Sequence, residues 1–213
     1  MKIQYSIFAA SLLSVSVSNA ALFANGDFEA VDLANDTTSV AAPTGWVISG
    51  TASSVIHRDG NFFGASITGS VTPGSNSAVD GRQYVHFNDG GSGAGGAIAQ
   101  TFDTVMGTEY TVAFSIAGGD FDGSSHQIIA DAGGGLGGLT QAATNNEYTS
   151  HSFNFTATGA STTLTFTDDL QAGGASSDLM LDGVSVTALP IPEPSSTALL
   201  GLGGLALILR RRK

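Results

Sequence analysis

The sequence lacks cysteine altogether and is poor in positive charge. None of its 213 residues is a cysteine, which excludes a disulfide framework, a thiolate metal site and a cysteine nucleophile. Between residues 21 and 190 there are 17 acidic residues and only two basic ones, Arg58 and Arg82, so this region carries a charge of about −15. Nucleic acid and anionic lipid both favour a basic face, and neither is an expected partner. Neutral polymers and divalent cations are compatible with such a surface.

Long apolar runs are absent except at the two ends. Residues 1–20 combine Lys2, an apolar stretch interrupted by serines, and the small residues Ser18 and Ala20. This is the pattern of a secretory signal peptide cleaved before Ala21. A retained N-terminal anchor is the alternative, which the short and serine-broken stretch disfavours. Residues 21–187 are therefore expected to form one exported domain, long enough for one hydrophobic core but short for two.

The C-terminal end has three parts in order. They are the tripeptide Pro192-Glu193-Pro194, the apolar run from Ala198 to Leu209, and the basic residues Arg210, Arg211, Arg212 and Lys213. The apolar run would form a helix about 18 Å long at ~1.5 Å per residue, which spans a ~30 Å hydrocarbon core only if the arginines snorkel or the bilayer thins. Basic residues hold their end in the cytoplasm. We predict one short transmembrane helix within residues 195–213, preceded by a proline-stiffened linker at residues 188–194.

This tail resembles the PEP-CTERM sorting signal of exported proteins in Gram-negative bacteria that also make extracellular polysaccharide. Ile191 stands where valine is usual before the tripeptide. The resemblance implies a precursor held in the inner membrane and cleaved near residues 192–194 by a membrane protease of the exosortase type. The product would then be released or attached at the cell surface, with extracellular polysaccharide as an expected partner. A plain C-terminal anchor is the alternative.

Between the two ends, apolar residues recur at every second position, which is typical of half-buried β-strands. Val112, Phe114 and Ile116 give the clearest example. Further strands are expected around residues 46–48, 55–56, 85–87, 98–102, 127–130, 153–155, 164–166 and 178–186, and the glycine-rich stretch 131–146 is expected to be a loop. Apolar residues change phase at Gly183, which predicts a bulge in the last strand. The sequence therefore predicts an all-β fold, a single antiparallel β-sandwich of the jelly-roll type with about nine to eleven strands.

The domain also carries three landmarks. It opens with Asn25-Gly26-Asp27-Phe28-Glu29, has an early Trp46, and closes on the stretch from Asp178 to Val186. These landmarks are similar to those of the galactose-binding-like sandwiches, including the family 4 and family 22 carbohydrate-binding modules. The resemblance implies that the first and last strands lie side by side. It departs from the family pattern at Gly183, where a second aspartate is usual.

The resemblance suggests one cofactor, a structural calcium ion near the place where the first and last strands meet. The fold is not expected to require any cofactor. Asp27, Glu29 and Asp182 are the candidate ligands of this ion, because Ca²⁺ prefers hard carboxylate and carbonyl oxygens. Such an ion would stabilise an exported domain that has no disulfides, since it binds only the folded state. The alternative is that Asp27 and Glu29 are solvated residues of an edge strand in which Phe28 is the buried member.

Sugar binding by a β-sandwich normally uses exposed aromatic rings with polar groups nearby. Tyr84 stands beside Arg82 and is opposite in parity to Val85, so it is predicted to present an exposed ring. Trp46 is a second candidate, although a lone tryptophan after Gly45 is more often a core residue than a stacking platform. These residues form the predicted sugar-binding set.

Patterns for catalysis are weak. The four histidines, His57, His86, His126 and His151, are scattered without the spacing of a zinc site. Asp168 and Asp169 are expected to begin a turn at a strand end. The Asp-x-Asp-Gly sequence at residues 120–123 lacks the glutamate that would complete a calcium loop, because Ile129 takes its place, so a turn is expected there as well.

The sequence as a whole predicts a non-catalytic surface or extracellular-matrix protein whose sandwich contacts extracellular polysaccharide. Two alternatives stay open. One is a structural or adhesive matrix protein with no defined ligand. The other is a polysaccharide hydrolase, which needs a pair of carboxylates that the fold would have to bring together.

Overall fold

The computed structural model describes residues 22–34, 37–51, 55–59, 79–87, 95–119, 125–143, 147–172 and 178–190. These residues form eleven β-strands and no helix. The strands are β1 (Thr38–Ser39), β2 (Val47–Gly50), β3 (Val55–Asp59), β4 (Gln83–Phe87), β5 (Gly96–Asp103), β6 (Glu109–Gly119), β7 (Ser125–Asp131), β8 (Gly138–Ala143), β9 (Thr149–Thr156), β10 (Ser161–Ala172) and β11 (Asp178–Ala188). The predicted signal peptide, sorting motif, basic stop and transmembrane helix all lie outside the described residues. Inside them, no helix has the length and apolar character needed to cross a membrane.

The strands form two antiparallel sheets. The six-stranded sheet has the order β1-β3-β4-β11-β6-β9, and the five-stranded sheet has the order β2-β5-β10-β7-β8. Every strand pairing is antiparallel. This architecture confirms the predicted all-β antiparallel sandwich.

One hydrophobic core lies between the sheets, because alternate side chains of each strand point inward. Phe114 of the six-stranded sheet packs edge to face on Phe166 of the five-stranded sheet, with ring centroids 5.1 Å apart. Both rings are fully buried. Burying one such side chain stabilises the fold by about 1.5–3 kcal/mol, so the aromatic contacts between the sheets are a main source of stability.

The last strand contains the predicted bulge. Leu179 and Leu181 face the core before it, and Val184 does so after it. The pairing of β11 with β6 shifts register between Asp182 and Ser185, and Gly183 adopts φ +61° there. The extra residue lets β11 turn its apolar side chains inward along its whole length.

Two segments differ from the prediction. The stretch expected to be a loop contains strand β8, which pairs with β7 after a turn in which Gly133, Gly134 and Gly135 all have positive φ. The prediction was wrong because these glycines belong to the turn alone. The opening stretch at residues 25–29 is a series of turns instead of a strand, since Asn25 and Phe28 adopt φ of 55° and 60°.

Candidate functional site

The opening segment, residues 22–34, runs along a seam between the two sheets. Gln100 of β5 holds it with two hydrogen bonds, one from Ala24 N to Oε1 and one from Nε2 to Ala24 O, each 2.9 Å long. On the other sheet, Val184 N donates to Gly26 O at 2.8 Å. A Cβ on Gly26 would lie 1.8 Å from the Val184 carbonyl oxygen, so only glycine allows this approach. The first and last segments of the domain are therefore neighbours, as the landmarks implied.

Trp46 belongs to the core. Its side chain is buried against Phe28, with ring centroids 5.5 Å apart, and its Nε1 donates to Asn25 O at 2.8 Å. Only 4 % of Trp46 is exposed. The prediction of a sugar-stacking role for Trp46 is wrong, because no face of its ring is available.

Tyr84 and Arg82 also differ from the predicted arrangement. Tyr84 points away from the core, as its parity indicated, yet it is 1 % exposed, so the prediction of an exposed ring is wrong. The Arg82 side chain is 37 % exposed, and its Nη2 lies 3.1 Å from Oδ1 of the buried Asp59. The structure thus does not assemble Trp46, Tyr84 and Arg82 into an open sugar platform.

The Glu29 carboxylate accepts hydrogen bonds from backbone N–H groups and from a side-chain amide. Its Oε1 accepts from the N–H groups of Arg82 and Gln83 at 2.5 Å each, and its Oε2 accepts from Gln83 Nε2 at 2.9 Å. Hydrogen bonds to an ionised acceptor are stronger than neutral ones. Glu29 therefore fastens the opening segment to the start of β4.

The Asp182 carboxylate is enclosed in the same way. Its Oδ2 accepts from Val79 N at 2.6 Å and from Asp80 N at 3.0 Å, and its Oδ1 accepts from Gly183 N at 2.7 Å. The residue has no exposed surface. Burial raises the pKa of Asp182 to about 8, although the three N–H donors favour the ionised form.

The three predicted calcium ligands do not form one cluster. The oxygens of Glu29 and Asp182 accept hydrogen bonds from protein donors, and Asp27 Oδ1 accepts one from Glu29 N at 3.4 Å. Among the described residues there is no group of three His, Cys, Asp or Glu side chains that could hold a metal ion. The three carboxylates therefore do not come together in the described part of the chain, and a structural calcium ion stays a prediction.

A cleft opens beside this seam, and we call it the seam cleft. Residues 23–27, Asp80 and residues 183–186 line it, and its volume is about 390 Å³. That size lies within the range of ligand pockets, roughly 300–1,000 Å³. The Phe23 ring and the carboxylates of Asp27 and Asp80 give it an apolar patch and hydrogen-bond acceptors, a combination that suits a sugar ring.

Part of the outward side of the six-stranded sheet is buried, mainly on β3, β4 and the start of β11. We call this part the covered face; its members are Arg58, Tyr84, His86, Tyr148, Asp178, Met180 and Asp182. The outward residues of β9 are exposed. Arg58 Nε donates to His86 Nδ1 at 2.8 Å, and His86 Nε2 lies 2.9 Å from Asp178 Oδ1. Because Nδ1 is an acceptor, the imidazole is neutral and carries its proton on Nε2, beside the Asp178 carboxylate. Arg58 and His86 are at most 2 % exposed, so this chain of polar groups is a structural element of the interior.

A small apolar cluster completes the covered face. Tyr84 and Tyr148 pack there with Met180 and Ala117. Burial, reinforced by the nearby Asp182 charge, raises the pKa of Tyr148 well above its ordinary value. The phenol therefore stays neutral at physiological pH.

The outward side of the five-stranded sheet is open, and we call it the threonine face; its members are Thr101, Thr163, Thr165 and Thr167. Thr101 and Thr163 are exposed, and their hydroxyl oxygens lie 2.8 Å apart across β5 and β10. Small hydroxyl side chains give this face little relief. Its four threonine side chains offer hydroxyl groups for hydrogen bonds and no aromatic ring.

The other sequence candidates lie apart from one another. His57 Nε2 bonds to Phe28 O at 3.0 Å and His151 Nε2 bonds to Thr149 Oγ1 at 2.8 Å; burial lowers the pKa of both histidines. The side chain of His126 and the Asp-x-Asp-Gly sequence at residues 120–123 lie outside the described part of the chain.

Asp168 and Asp169 are not at a strand end. Both lie inside β10, where Asp168 points into the core and Asp169 Oδ2 accepts from Gln127 Nε2 at 2.6 Å. The predicted turn is therefore wrong, and the pair faces opposite sides of the sheet because successive residues of a strand alternate.

Sequence reasoning missed the residues that shape the seam. Gln100 occupies an inward position between Ile98 and Phe102, and a polar residue in such a place is a signal for a buried hydrogen-bonding role. Phe23 and Asp80 in the seam cleft gave no comparable signal, since neither lies in a strand.

Two family models match the chain. The family described as Protein of unknown function (DUF642) matches residues 21–186, and the PEP-CTERM protein-sorting motif matches residues 190–213. The second match confirms the predicted sorting tail. That motif implies a secreted protein that is anchored in the membrane before cleavage and sorting to the cell surface. No curated protein matches the sequence.

Several solved carbohydrate-binding modules are similar in fold. TmCBM61, solved in complex with beta-1,4-galactotriose, has a TM-score of 0.48 and 17 % identity over 68 % of this chain and 90 % of its own. A family 4 module has a TM-score of 0.42 and 14 % identity, covering 78 % and 99 %. The CBM22-1 xylan-binding domain of Paenibacillus barcinonensis Xyn10C has a TM-score of 0.43 and 8 % identity, covering 75 % and 99 %. These likenesses are distant, so the function proposed below rests on the chain's own residues and family models.

Proposed function

Because the chain belongs to the DUF642 family and ends in a PEP-CTERM protein-sorting motif, we propose that it is an exosortase-processed surface protein whose sandwich contacts extracellular polysaccharide without cleaving it. The observation that carries the proposal is the sorting-motif match at residues 190–213. It follows a single acidic domain that has almost no basic residues to attract nucleic acid or anionic lipid.

The seam cleft is the surface proposed for the polysaccharide. It is concave and combines the half-buried Phe23 ring with the Asp27 and Asp80 carboxylates. Carboxylates accept hydrogen bonds from sugar hydroxyls, and the ring edge supplies apolar contact. A neutral glycan also meets no repulsion from the acidic surface, whereas an anionic one would.

A glycan array on the mature protein tests the binding half. We expect binding to a neutral polysaccharide that falls at least tenfold in the Asp27→Asn/Asp80→Asn double variant, since each lost hydrogen bond to a charged group costs about 1.5–3 kcal/mol. Glu147→Gln is the matched control, because Glu147 is an exposed carboxylate away from the cleft. Equal binding by both variants would remove the seam cleft from consideration.

Deletion of residues 192–213 tests the sorting half. We expect the shortened chain to lose its processing and its attachment pathway, while the sandwich still folds.

An assay of reducing ends tests for hydrolysis. Reducing ends released from polysaccharide are expected to stay at background. Release that disappears in Asp27→Asn would instead make the protein a hydrolase.

A further inference from the structure

The chain leaves the sandwich beside an exposed apolar turn. The segment Thr104–Thr108, which we call the apolar turn, joins β5 to β6, and its Val105 and Met106 are 65 % and 74 % exposed. Leu189 N donates to Glu109 O at 2.8 Å, so the end of β11 is bonded to the first residue of β6. The apolar turn and the exit of the chain toward the sorting motif are therefore adjacent.

The apolar turn is firmly held. Val105 N donates to Tyr110 Oη at 2.9 Å, Thr104 N donates to Ala160 O at 2.9 Å, and Gly107 N donates to Ala157 O at 2.7 Å. Its two apolar side chains thus project from a fixed backbone. A partner that covers them has little loop entropy to overcome, which favours a specific contact.

Chain length limits what can lie near this end. Pro192 and Pro194 are three and five residues beyond Leu189, so at no more than ~3.6 Å per residue the cleavage motif begins within about 11 Å and ends within about 18 Å of the Leu189 position. The apolar run begins at Ala198, nine residues beyond Leu189, which allows about 32 Å. A protease that cleaves at residues 192–194 must therefore approach this end of the sandwich, whereas the hydrocarbon core need not.

Charge also favours a protein partner over lipid. Asp103 and Glu109 flank the apolar turn, and the domain carries a charge of about −15. An anionic bilayer surface repels such a region. We propose that the apolar turn and the end of β11 form a docking surface for the sorting protease; this rests on the proposed function, because it presumes that the tail is processed.

Processing kinetics in cells that supply the protease test the proposal. We expect the Val105→Ser/Met106→Ser double variant of the full chain to be cleaved roughly tenfold more slowly, because two apolar side chains no longer leave water at the contact. Val40→Ser is the matched control: Val40 is 82 % exposed and follows β1, at the opposite edge of the six-stranded sheet from β9. An unchanged melting temperature in both variants shows that the fold is intact.

The outcomes separate the two proposals. If the parent chain is processed and the double variant is processed at the same rate, the docking surface is overturned and the proposed function stands. If the parent chain is never processed, both fall.

A labelled Met106→Cys chain distinguishes lipid from protein, because the chain has no other cysteine. The new cysteine carries a polarity-sensitive fluorophore, and the chain is mixed with anionic lipid vesicles that either contain the protease or lack it. We expect the fluorescence to change only with the vesicles that contain the protease. A response in protease-free vesicles would assign the apolar turn to the membrane and overturn the proposal.

Discussion

The covered face and the threonine face lie on the two outward sides of the same sandwich, and both arise from polar residues that alternate with apolar ones. On the threonine face, Thr101 and Thr163 are exposed to solvent. On the covered face, Arg58, Tyr84 and His86 are between 0 % and 2 % exposed. Identical strand periodicity therefore leads to opposite environments on these two faces.

The difference decides what each polar group contributes to stability. Removing an ion from water costs several kcal/mol, so the contacts that Arg58 and Asp178 make with the His86 ring help to offset the cost of burying them. The exposed cross-strand pair Thr101 and Thr163 stays in contact with water, so little free energy is spent on desolvation. Such a pair stabilises the fold by roughly 0.2–1 kcal/mol. Substitutions should consequently have large effects on the covered face and small ones on the threonine face.

The largest effect is expected for Arg58→Met. It removes the donor to His86 Nδ1 and leaves a buried polar chain incomplete, so unfolding in urea should require about 3–5 kcal/mol less free energy. The free energy of unfolding lost in the Arg58→Met/His86→Leu double variant should be smaller than the sum of the losses in the two single variants. Each single variant breaks the same Arg58–His86 contact, which the double variant breaks only once. A loss below about 1 kcal/mol in the single variant would show that the covered face is not held by this chain.

Asp182→Asn should flatten the dependence of stability on pH. Because the folded pKa of Asp182 is raised to about 8, its contribution is fully present below the unfolded pKa of about 4 and is lost as pH rises through 8. Each pKa unit corresponds to about 1.4 kcal/mol, so the wild-type free energy of unfolding should fall by a few kcal/mol as pH rises from about 4 to about 8. The variant cannot ionise, so its melting temperatures at pH 4 and pH 8 should differ less; parallel profiles would contradict the assignment.

Gly183→Ala tests how much the bulge in β11 contributes to stability. The outward residues of this strand are buried before Gly183 and exposed after it. Gly183 has φ +61°, and an added Cβ would lie 3.0 Å from Val79 Cγ1. We expect a loss of about 1–3 kcal/mol, measured by thermal unfolding. Gly107→Ala is a useful comparison, since Gly107 has φ +82° but no atom within 4 Å of its added Cβ. It should lose less, through backbone strain alone.

The smallest effect is expected for Thr163→Val on the threonine face. The exposed hydroxyl bond to Thr101 is lost while β propensity is kept, so the free energy of unfolding should change by no more than about 0.5 kcal/mol. Urea titration resolves a difference of this size poorly, so melting temperatures should be compared in parallel. A loss comparable to that of Arg58→Met would erase the distinction between the two faces.

Periodicity made much of the fold predictable, since local alternation decides which side chains of a strand share a face. Val112, Phe114 and Ile116 face the core as predicted, and the phase change at Gly183 is a bulge. Tyr84 shows the limit of this reasoning. Its parity correctly gives the outward side of β4, but parity carries no information about whether that side is covered.

The candidate site was less predictable for a related reason. The resemblance to galactose-binding-like sandwiches implies Glu29 and Asp182 as calcium ligands, because Ca²⁺ prefers carboxylate oxygens. Backbone N–H groups from distant segments occupy both carboxylates instead, and no local pattern shows which distant donor will reach a side chain. Asp80 joins Asp27 in the seam cleft for the same nonlocal reason.

The hydrogen bond between Gly26 and Val184 also constrains when the domain can finish folding. A polypeptide is synthesised from its N-terminus, so the opening segment must wait for Val184, near the end of the domain, before this bond can form. Val184 precedes the PEP-CTERM sorting motif at residues 190–213 by six positions. A chain truncated before Val184 would therefore lack both this hydrogen bond and the sorting motif.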